Sequence, residues 1–421
     1  MIKRLGIFLG VLMLTLNTVM LTVKADMSAP VPSADSAVLM NGITGEIIYS
    51  KNPDGSYPPA STTKILTTLL AFENCNLDDI VTVGKNPPNA EGSSIALLAD
   101  EQASVRDLLY GLNLQSGNDC ADALAEHISG TKEKFAALMN ERAKQLGCTS
   151  SNFVNPSGLY DKNHKTSSKD LALILKELIK YPEYLKIAST LTYEMAPNNK
   201  NPEIRYIWNK NKLILPSSEY YYKGALAGKT GYTTESQHSY VAAAQRDGQI
   251  MIVALVHDNT SDSYKDTIRL LDYGFNNFQT KNLLNKNSKL EDFTLNDGTS
   301  IKVLAGDNFF YTSNKNDTSI PTCNLKLNTD YINNNSLEVG AKIGTANIIK
   351  NGKSIGTVDI LSGSEHKVKI LSASMSLTSA NKPSNNVHQF VFGAAAILLI
   401  VLSIKYKGLL SEKFYNKRSR L

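Results

Sequence analysis

A chain of 421 residues, 42% hydrophobic and 20% charged, is long enough for one large domain and a smaller one. Its formal charge of +5 comes from its two ends. Removing the three cations of residues 1–25, and the six cations and one acid of residues 405–421, leaves 35 basic against 38 acidic residues, a balance that excludes a nucleic-acid footprint.

The N-terminus reads Met1-Ile2-Lys3-Arg4, an apolar stretch from Leu5 to about Val23, then Val23-Lys24-Ala25. This predicts a secretory signal over residues 1–25, with an uncleaved anchor as the alternative. No cysteine stands near the cleavage position, so lipoprotein processing is not expected.

A large domain is expected over residues 26–282. Early in it, Tyr57-Pro58-Pro59-Ala60 predicts extended or turn backbone, and the apolar pattern from Lys64 to Glu73 predicts a buried helix. Ser61 is then expected to open the helix, with Lys64 one turn along beside its hydroxyl. A serine hydroxyl is a weak nucleophile until a base removes its proton. Lys64 is a base only when neutral, and at a reference pKa of ~10.4 about one lysine in 2,500 is neutral at pH 7, equivalent to about 4.6 kcal/mol. Burial and a second cation both lower a lysine pKa, and Lys229 is the candidate for that cation. Ser-x-x-Lys recurs at Ser129 and Ser364, where solvated surface is the expected reading.

Ser116-Gly117-Asn118 follows Ser61 by 55 positions, between helical patterns at Val105, Leu108, Leu109, Leu112 and at Ala121, Leu124, Ala125, Ile128. In a loop facing a cleft, Ser116 passes a proton to a leaving amine and Asn118 holds a substrate amide. An ordinary turn, with Asn118 or Asp119 capping a helix, is the plain alternative. Lys229-Thr230-Gly231 comes 113 positions later and occurs once. Strands are expected around it and over Ser239–Arg246 and Gln249–Val256, the last two joined by a turn at Asp247-Gly248. On an edge strand, Lys229 and Thr230 meet a substrate carboxylate or amide, and Gly231 allows close backbone approach. The N–H of Tyr232 pairs with that of Ser61 as an oxyanion hole. A solvated edge lysine is the alternative.

Together the three motifs describe a serine acyl-transfer site without histidine or aspartate. They resemble those of penicillin-binding proteins and serine β-lactamases. The stretches Asn152-Phe153-Val154-Asn155-Pro156-Ser157-Gly158-Leu159, Gly228-Lys229-Thr230-Gly231-Tyr232-Thr233 and Leu271-Asp272-Tyr273-Gly274-Phe275 narrow the resemblance to the D-alanyl-D-alanine carboxypeptidases, the low-molecular-mass penicillin-binding proteins. The likeness runs from about residue 30 to about 375. It implies an α/β (α+β) serine β-lactamase/transpeptidase-like domain followed by a small β domain. It also implies removal of the terminal D-alanine from peptidoglycan stem peptides, sensitivity to β-lactams, and no cofactor or metal. A β-lactamase is the alternative enzyme, although the Glu-x-x-Leu-Asn carboxylate base of class A is missing. A catalytically inactive wall-binding scaffold is the alternative of another class.

The sequence departs from the family pattern twice. Glu235-Ser236-Gln237-His238 stands where small residues are usual, and His238 reads as a polar strand residue. Asp262-Ser263-Tyr264-Lys265-Asp266 stands where the family commonly places a carboxylate-binding arginine. Lys265 is the expected substitute there, without an arginine's bidentate geometry.

From Phe293 onward, short alternating runs with turns at Asn296-Asp297-Gly298 and Asn351-Gly352 predict an all-β sandwich over residues 283–373. A polar linker carrying Pro383 is expected over 374–388 and a membrane helix over 389–406, with a basic cytoplasmic tail over 407–421 that fits the positive-inside rule. A helix lying on the membrane surface is the alternative. The protein is thus expected to be exported and anchored, its catalytic domain facing the wall. The spacing of Cys75, Cys120, Cys148 and Cys323 fits neither a disulfide framework nor a zinc motif, so free thiols are expected.

Overall fold

The computed structural model describes residues 28–260 and 262–368. The predicted signal, membrane helix and basic tail lie outside the described residues. Among those described, no helix is long and apolar enough to cross a membrane.

Strands β1 (Ser36–Asn41) and β2 (Ile47–Lys51) open the chain, and a 3-10 turn (Ala60–Thr63) feeds helix α1 (Lys64–Asn74). A small hairpin, β3 (Ile80–Thr82) with β4 (Gln102–Ser104), precedes α2 (Val105–Tyr110), a π turn (Gly111–Gln115), α3 (Asn118–Ser129) and α4 (Lys132–Gln145). Ser104 starts α2 with a reciprocal cap, its hydroxyl taking the Asp107 N–H while the Asp107 carboxylate takes the Ser104 N–H. After α5 (Ser168–Leu178) and α6 (Pro182–Ser189), a second hairpin, β5 (Thr192–Met195) with β6 (Arg205–Trp208), leads to the main-sheet strands β7 (Ala225–Thr233), β8 (Gln237–Arg246) and β9 (Gln249–Asp258). Helix α7 (Ser263–Asn277) closes the domain.

The main sheet is antiparallel, in the order β2-β1-β9-β8-β7, which leaves the Lys-Thr-Gly strand at an edge. The β8–β9 connection is the expected two-residue turn, with Asp247 and Gly248 both at positive φ. Strands β8 and β9 each bury six consecutive residues, because both faces of the sheet are covered. Val241, Ala243, Ile252 and Ala254 pack with Leu66, Leu69, Leu171 and Leu175 of α1 and α5. Their neighbours Tyr240, Ala242, Val253 and Leu255 pack with Leu270, Leu271 and Phe275 of α7.

Helix α1 is buried over every residue from Lys64 to Ala71. A helix apolar on all sides belongs inside a domain. The same burial carries Lys64, its first residue, out of water.

The second domain begins with β10 (Phe278–Leu284), so the expected boundary at 282/283 falls inside a strand. Strands β11 (Lys289–Thr294), β12 (Ser300–Ala305), β13 (Phe309–Asn314), β14 (Thr322–Leu327), β15 (Lys342–Lys350) and β16 (Lys353–Ser362) follow. One sheet runs β11-β12-β16-β15-β14, and β10 pairs with β13 in a second. The Asn351-Gly352 turn joins β15 to β16 with both residues at positive φ. The domain is not wholly β. Helix α8 (Thr329–Asn334), capped by the Asn328 side chain, buries Ile332 in the core with Ile343, Ile348 and Ile360. At the junction with the first domain, buried Asn41 donates to Thr280 and Thr312 at 2.8 and 3.1 Å.

Candidate active site

Ser61 lies in the 3-10 turn just before α1, so it precedes the α-helix rather than opening it. Ala60, beside it, holds a positive φ of 49° without being glycine, a strained conformation of the kind that collects at functional sites. Two close approaches lock the turn. Gly158 sits at φ +84°, and a side chain there would collide with the Ala60 carbonyl. A Cβ on Gly231 would lie 2.7 Å from the Pro59 oxygen and 2.9 Å from the Ser61 nitrogen. Strand β7 therefore runs with its backbone pressed on that of Ser61, and Tyr232 is the next residue along it.

Lys64 is 0% exposed. Its Nζ lies 2.8 Å from Ser61 Oγ, 2.6 Å from Asn118 Oδ1 and 2.5 Å from the Ser157 carbonyl oxygen. Asn118 Nδ2 donates to the Glu91 carbonyl, which fixes the amide with its oxygen toward Lys64. A neutral amine has two N–H bonds and one lone pair. With two acceptors that cannot donate, the Asn118 oxygen and the Ser157 carbonyl, the remaining direction faces Ser61. A neutral Lys64 thus presents its lone pair to the one partner with a proton to give. Burial pushes the Lys64 pKa well below the ordinary lysine value, and the nearby Lys229 pushes it further down, against Asp122, Cys120 and Asp119.

Lys229 is buried, unlike the solvated edge lysine that the sequence left open. Its Nζ donates to the Thr230 carbonyl at 2.8 Å. Burial first, and Lys210 second, bring its pKa down to about 7. Thr230 is half-buried. Tyr232 is 60% exposed, its ring 4.6 Å from that of His238.

Ser116 ends the π turn in left-handed backbone, φ 64°, half-buried and two residues before Asn118. Asn118 has a structural role besides the expected one. Its amide oxygen accepts from Lys64 Nζ and one of its two N–H bonds donates to the Glu91 carbonyl, so it positions Lys64. Neither Asn118 nor Asp119 caps α3: Gly117 holds that position, and Asp119 takes the N–H groups of Ile95 and Leu97 instead. Lys265 is exposed and paired with Asp262 at 2.8 Å. All four cysteines are unpaired.

Three participants escaped the sequence reading. The Ser157 carbonyl is a backbone group, and only Gly158 after it hinted at a special turn. Buried His164 takes the Val154 N–H on Nδ1 and meets Thr63 Oγ1 through Nε2 at 2.8 Å, bracing the turn from behind. Lys210, whose Nζ donates to the Gln115 carbonyl at 3.3 Å, had no periodic or motif signal.

A serine–lysine pair at the head of a buried helix, with an edge-strand Lys-Thr-Gly against it and a β domain behind, defines the penicillin-binding protein fold. Residues 23–260 match the family model of D-alanyl-D-alanine carboxypeptidase, and residues 278–368 match that of the penicillin-binding protein 5 C-terminal domain. The chain belongs to the D-alanyl-D-alanine carboxypeptidase family. It is 32% identical to D-alanyl-D-alanine carboxypeptidase DacF of Bacillus subtilis, over 77% of this chain and 80% of that protein. It is 30% identical to DacC of Escherichia coli, over 79% and 84%. The crystal structure of penicillin-binding protein 5 from Haemophilus influenzae superposes with a TM-score of 0.67 at 29% identity, covering 80% of this chain and 99% of that one.

Proposed function

We propose that this protein is a serine D-alanyl-D-alanine carboxypeptidase that removes the terminal D-alanine from peptidoglycan stem peptides and is acylated by β-lactams. The observation that carries the reading is the set of three oxygens around buried Lys64, two that only accept and the Ser61 hydroxyl that can donate. Neutral Lys64 takes the proton of Ser61 Oγ as that oxygen attacks the penultimate D-alanine carbonyl. The N–H groups of Ser61 and Tyr232 hold the oxyanion, which the close packing of Gly231 on Ser61 supports. Ser116 delivers the proton to the departing D-alanine amine. Water then attacks the Ser61 ester, its proton returning through Lys64, and the shortened peptide leaves. Burial, helped by Lys229, keeps Lys64 neutral, and Lys229 also binds anionic substrate.

No carboxylate is among the hydrogen-bond partners of Ser61 or Lys64 in the described residues. Asp122 pairs with Lys132 at 3.1 Å, and Asp119 is spent on the 94–97 loop. That favours the peptidase over a class A β-lactamase, and the intact Ser61–Lys64 pair speaks against a scaffold. Mass spectrometry of the protein after incubation with a D-Ala-D-Ala peptide and with penicillin tests the reading. Loss of one D-alanine and a penicilloyl adduct on Ser61 are expected; release of penicilloic acid at high turnover indicates the lactamase.

The same proposal places residues 1–25 as a cleaved signal, 26 to about 277 as the catalytic domain, 278–373 as a spacer and 389–406 as a membrane anchor. The protein is then exported and faces the wall. Truncation before Val387 is expected to release an active soluble protein. Alkaline carbonate is expected to leave the full chain on membranes; stripping by carbonate means a surface-lying helix.

A further inference from the structure

A carboxypeptidase differs from an endopeptidase in reading a free carboxylate one residue beyond the bond it cuts. One residue spans at most about 3.6 Å, so the carboxylate must fall close to the strand that holds the scissile carbonyl. Beside Thr230, Gly231 and Tyr232 lies a cavity of about 370 Å³, also lined by His238 and Ser239 of β8, Ser263 and Tyr264 of α7, and Lys212 and Tyr220. Lys212 is the sole Lys, Arg, Asp or Glu among these lining residues. Its ammonium stands 5.4 Å from the centroid of the Tyr220 ring. That ring stacks on Tyr264 at 5.2 Å, and Tyr264 packs on buried Tyr240 at 4.7 Å. The Lys212 N–H also donates to the Tyr264 hydroxyl at 3.2 Å. An aromatic shelf thus holds the ammonium without neutralising it. No carboxylate in the described residues pairs with Lys212, whereas Lys265 is held by Asp262 on the outer surface and is not among the residues lining the cavity.

We infer that Lys212, with the Thr230 hydroxyl, binds the C-terminal carboxylate of the substrate and sets the preference for a terminal over an internal peptide bond. The inference rests on the carboxypeptidase reading above and adds to Lys229 a second cation, placed for the terminal carboxylate.

The test compares an N-acylated Lys-D-Ala-D-Ala peptide with its C-terminal amide, on the full chain and on Lys212→Ala, Lys212→Arg and Lys265→Ala. Wild type and Lys265→Ala should prefer the carboxylate. Lys212→Ala should lose kcat/KM for the carboxylate on the order of 10- to 100-fold, mostly through KM, and leave the amide unchanged, because a lost hydrogen bond to a charged group is worth about that factor. Lys212→Arg should restore the preference. A Lys212→Ala protein that keeps the preference at wild-type kcat/KM overturns the inference while leaving the carboxypeptidase reading intact. Equal losses on acid and amide also overturn it, since they mark a structural role. A wild-type protein that cleaves neither peptide removes the carboxypeptidase reading and the inference with it.

Discussion

The two domains treat charge in opposite ways. Among the described residues, every buried lysine, aspartate or glutamate belongs to the first domain: Lys64, Glu101, Asp119, Asp122, Asp170, Lys229, Asp258 and Asp266. The β domain buries none. Its charges sit outside its core as pairs, such as Lys342–Asp359 at 2.7 Å and Lys350–Asp317 at 2.8 Å. Taking an ion out of water costs several kcal/mol unless other groups compensate. The first domain bears that cost where the perturbed group has a task, as with Lys64 at the nucleophile. The second has an apolar core of Ile, Leu and Val and no comparable burden, which accords with the spacer role proposed above.

The comparison breaks first at the nucleophile. Ser61→Ala should abolish labelling by a tagged penicillin and lower peptidase activity on the order of 10⁴-fold or more, with near-UV circular dichroism unchanged. Persistent labelling would mean that the buried Lys64 serves some other group.

Lys229→Ala is the next largest effect, a fall in kcat/KM on the order of 100-fold. Its diagnostic is the pH profile. The acidic limb reports loss of the Lys64 proton, and the Lys229 charge helps hold the Lys64 pKa down. Removing that charge lets the Lys64 pKa rise, so the limb should move to higher pH. An unmoved limb in a protein that still binds penicillin would assign Lys229 to substrate binding alone.

How much of this was legible in the sequence depended on whether side chains or backbone did the work. Ser61, Lys64, Ser116, Asn118 and Lys229 announced themselves because fixed residue types recur in a fixed order. The β8–β9 and β15–β16 turns were legible because Asp247-Gly248 and Asn351-Gly352 suit positive φ at both positions. The Ser157 carbonyl was not, since any residue supplies one. Lys265 stood out because its place in the chain suggested substrate contact, but its pairing with the nearby Asp262 on the surface could not be read from the sequence. Helix α8 in the β domain was missed because six polar-rich residues carry too little periodicity to register.

A third test concerns His164, which burial holds at about 4 against an ordinary 6.5. The unfolded chain binds a proton between those values that the folded chain refuses. The contribution is therefore complete above pH 6.5 and falls away as pH drops toward 4, by about 3 kcal/mol in all. Urea midpoints at pH 7, 5 and 4 should decline in the wild type, and less steeply in His164→Asn. Parallel declines would clear His164 and leave the acid sensitivity to the carboxylates.

The smallest effect lies at the seam between the two domains. Asn41 is fully buried, its oxygen takes the Ile43 and Thr44 N–H groups, and its amide donates only to Thr280 and Thr312 among the contacts found. Replacing both threonines by valine keeps the shape and strands the donor, at a cost of about 1–3 kcal/mol. If the β domain is a spacer, that loss should fall on the coupling between domains. Calorimetry should then show a single transition broadening or splitting in two, while the rate of penicillin acylation stays within about twofold of wild type, since Ser61, Lys64 and Lys229 touch nothing at the seam. A slower acylation rate would show that β10 and β13 brace the catalytic sheet through β1, and the contrast between a chemical domain and an inert one would have to be given up.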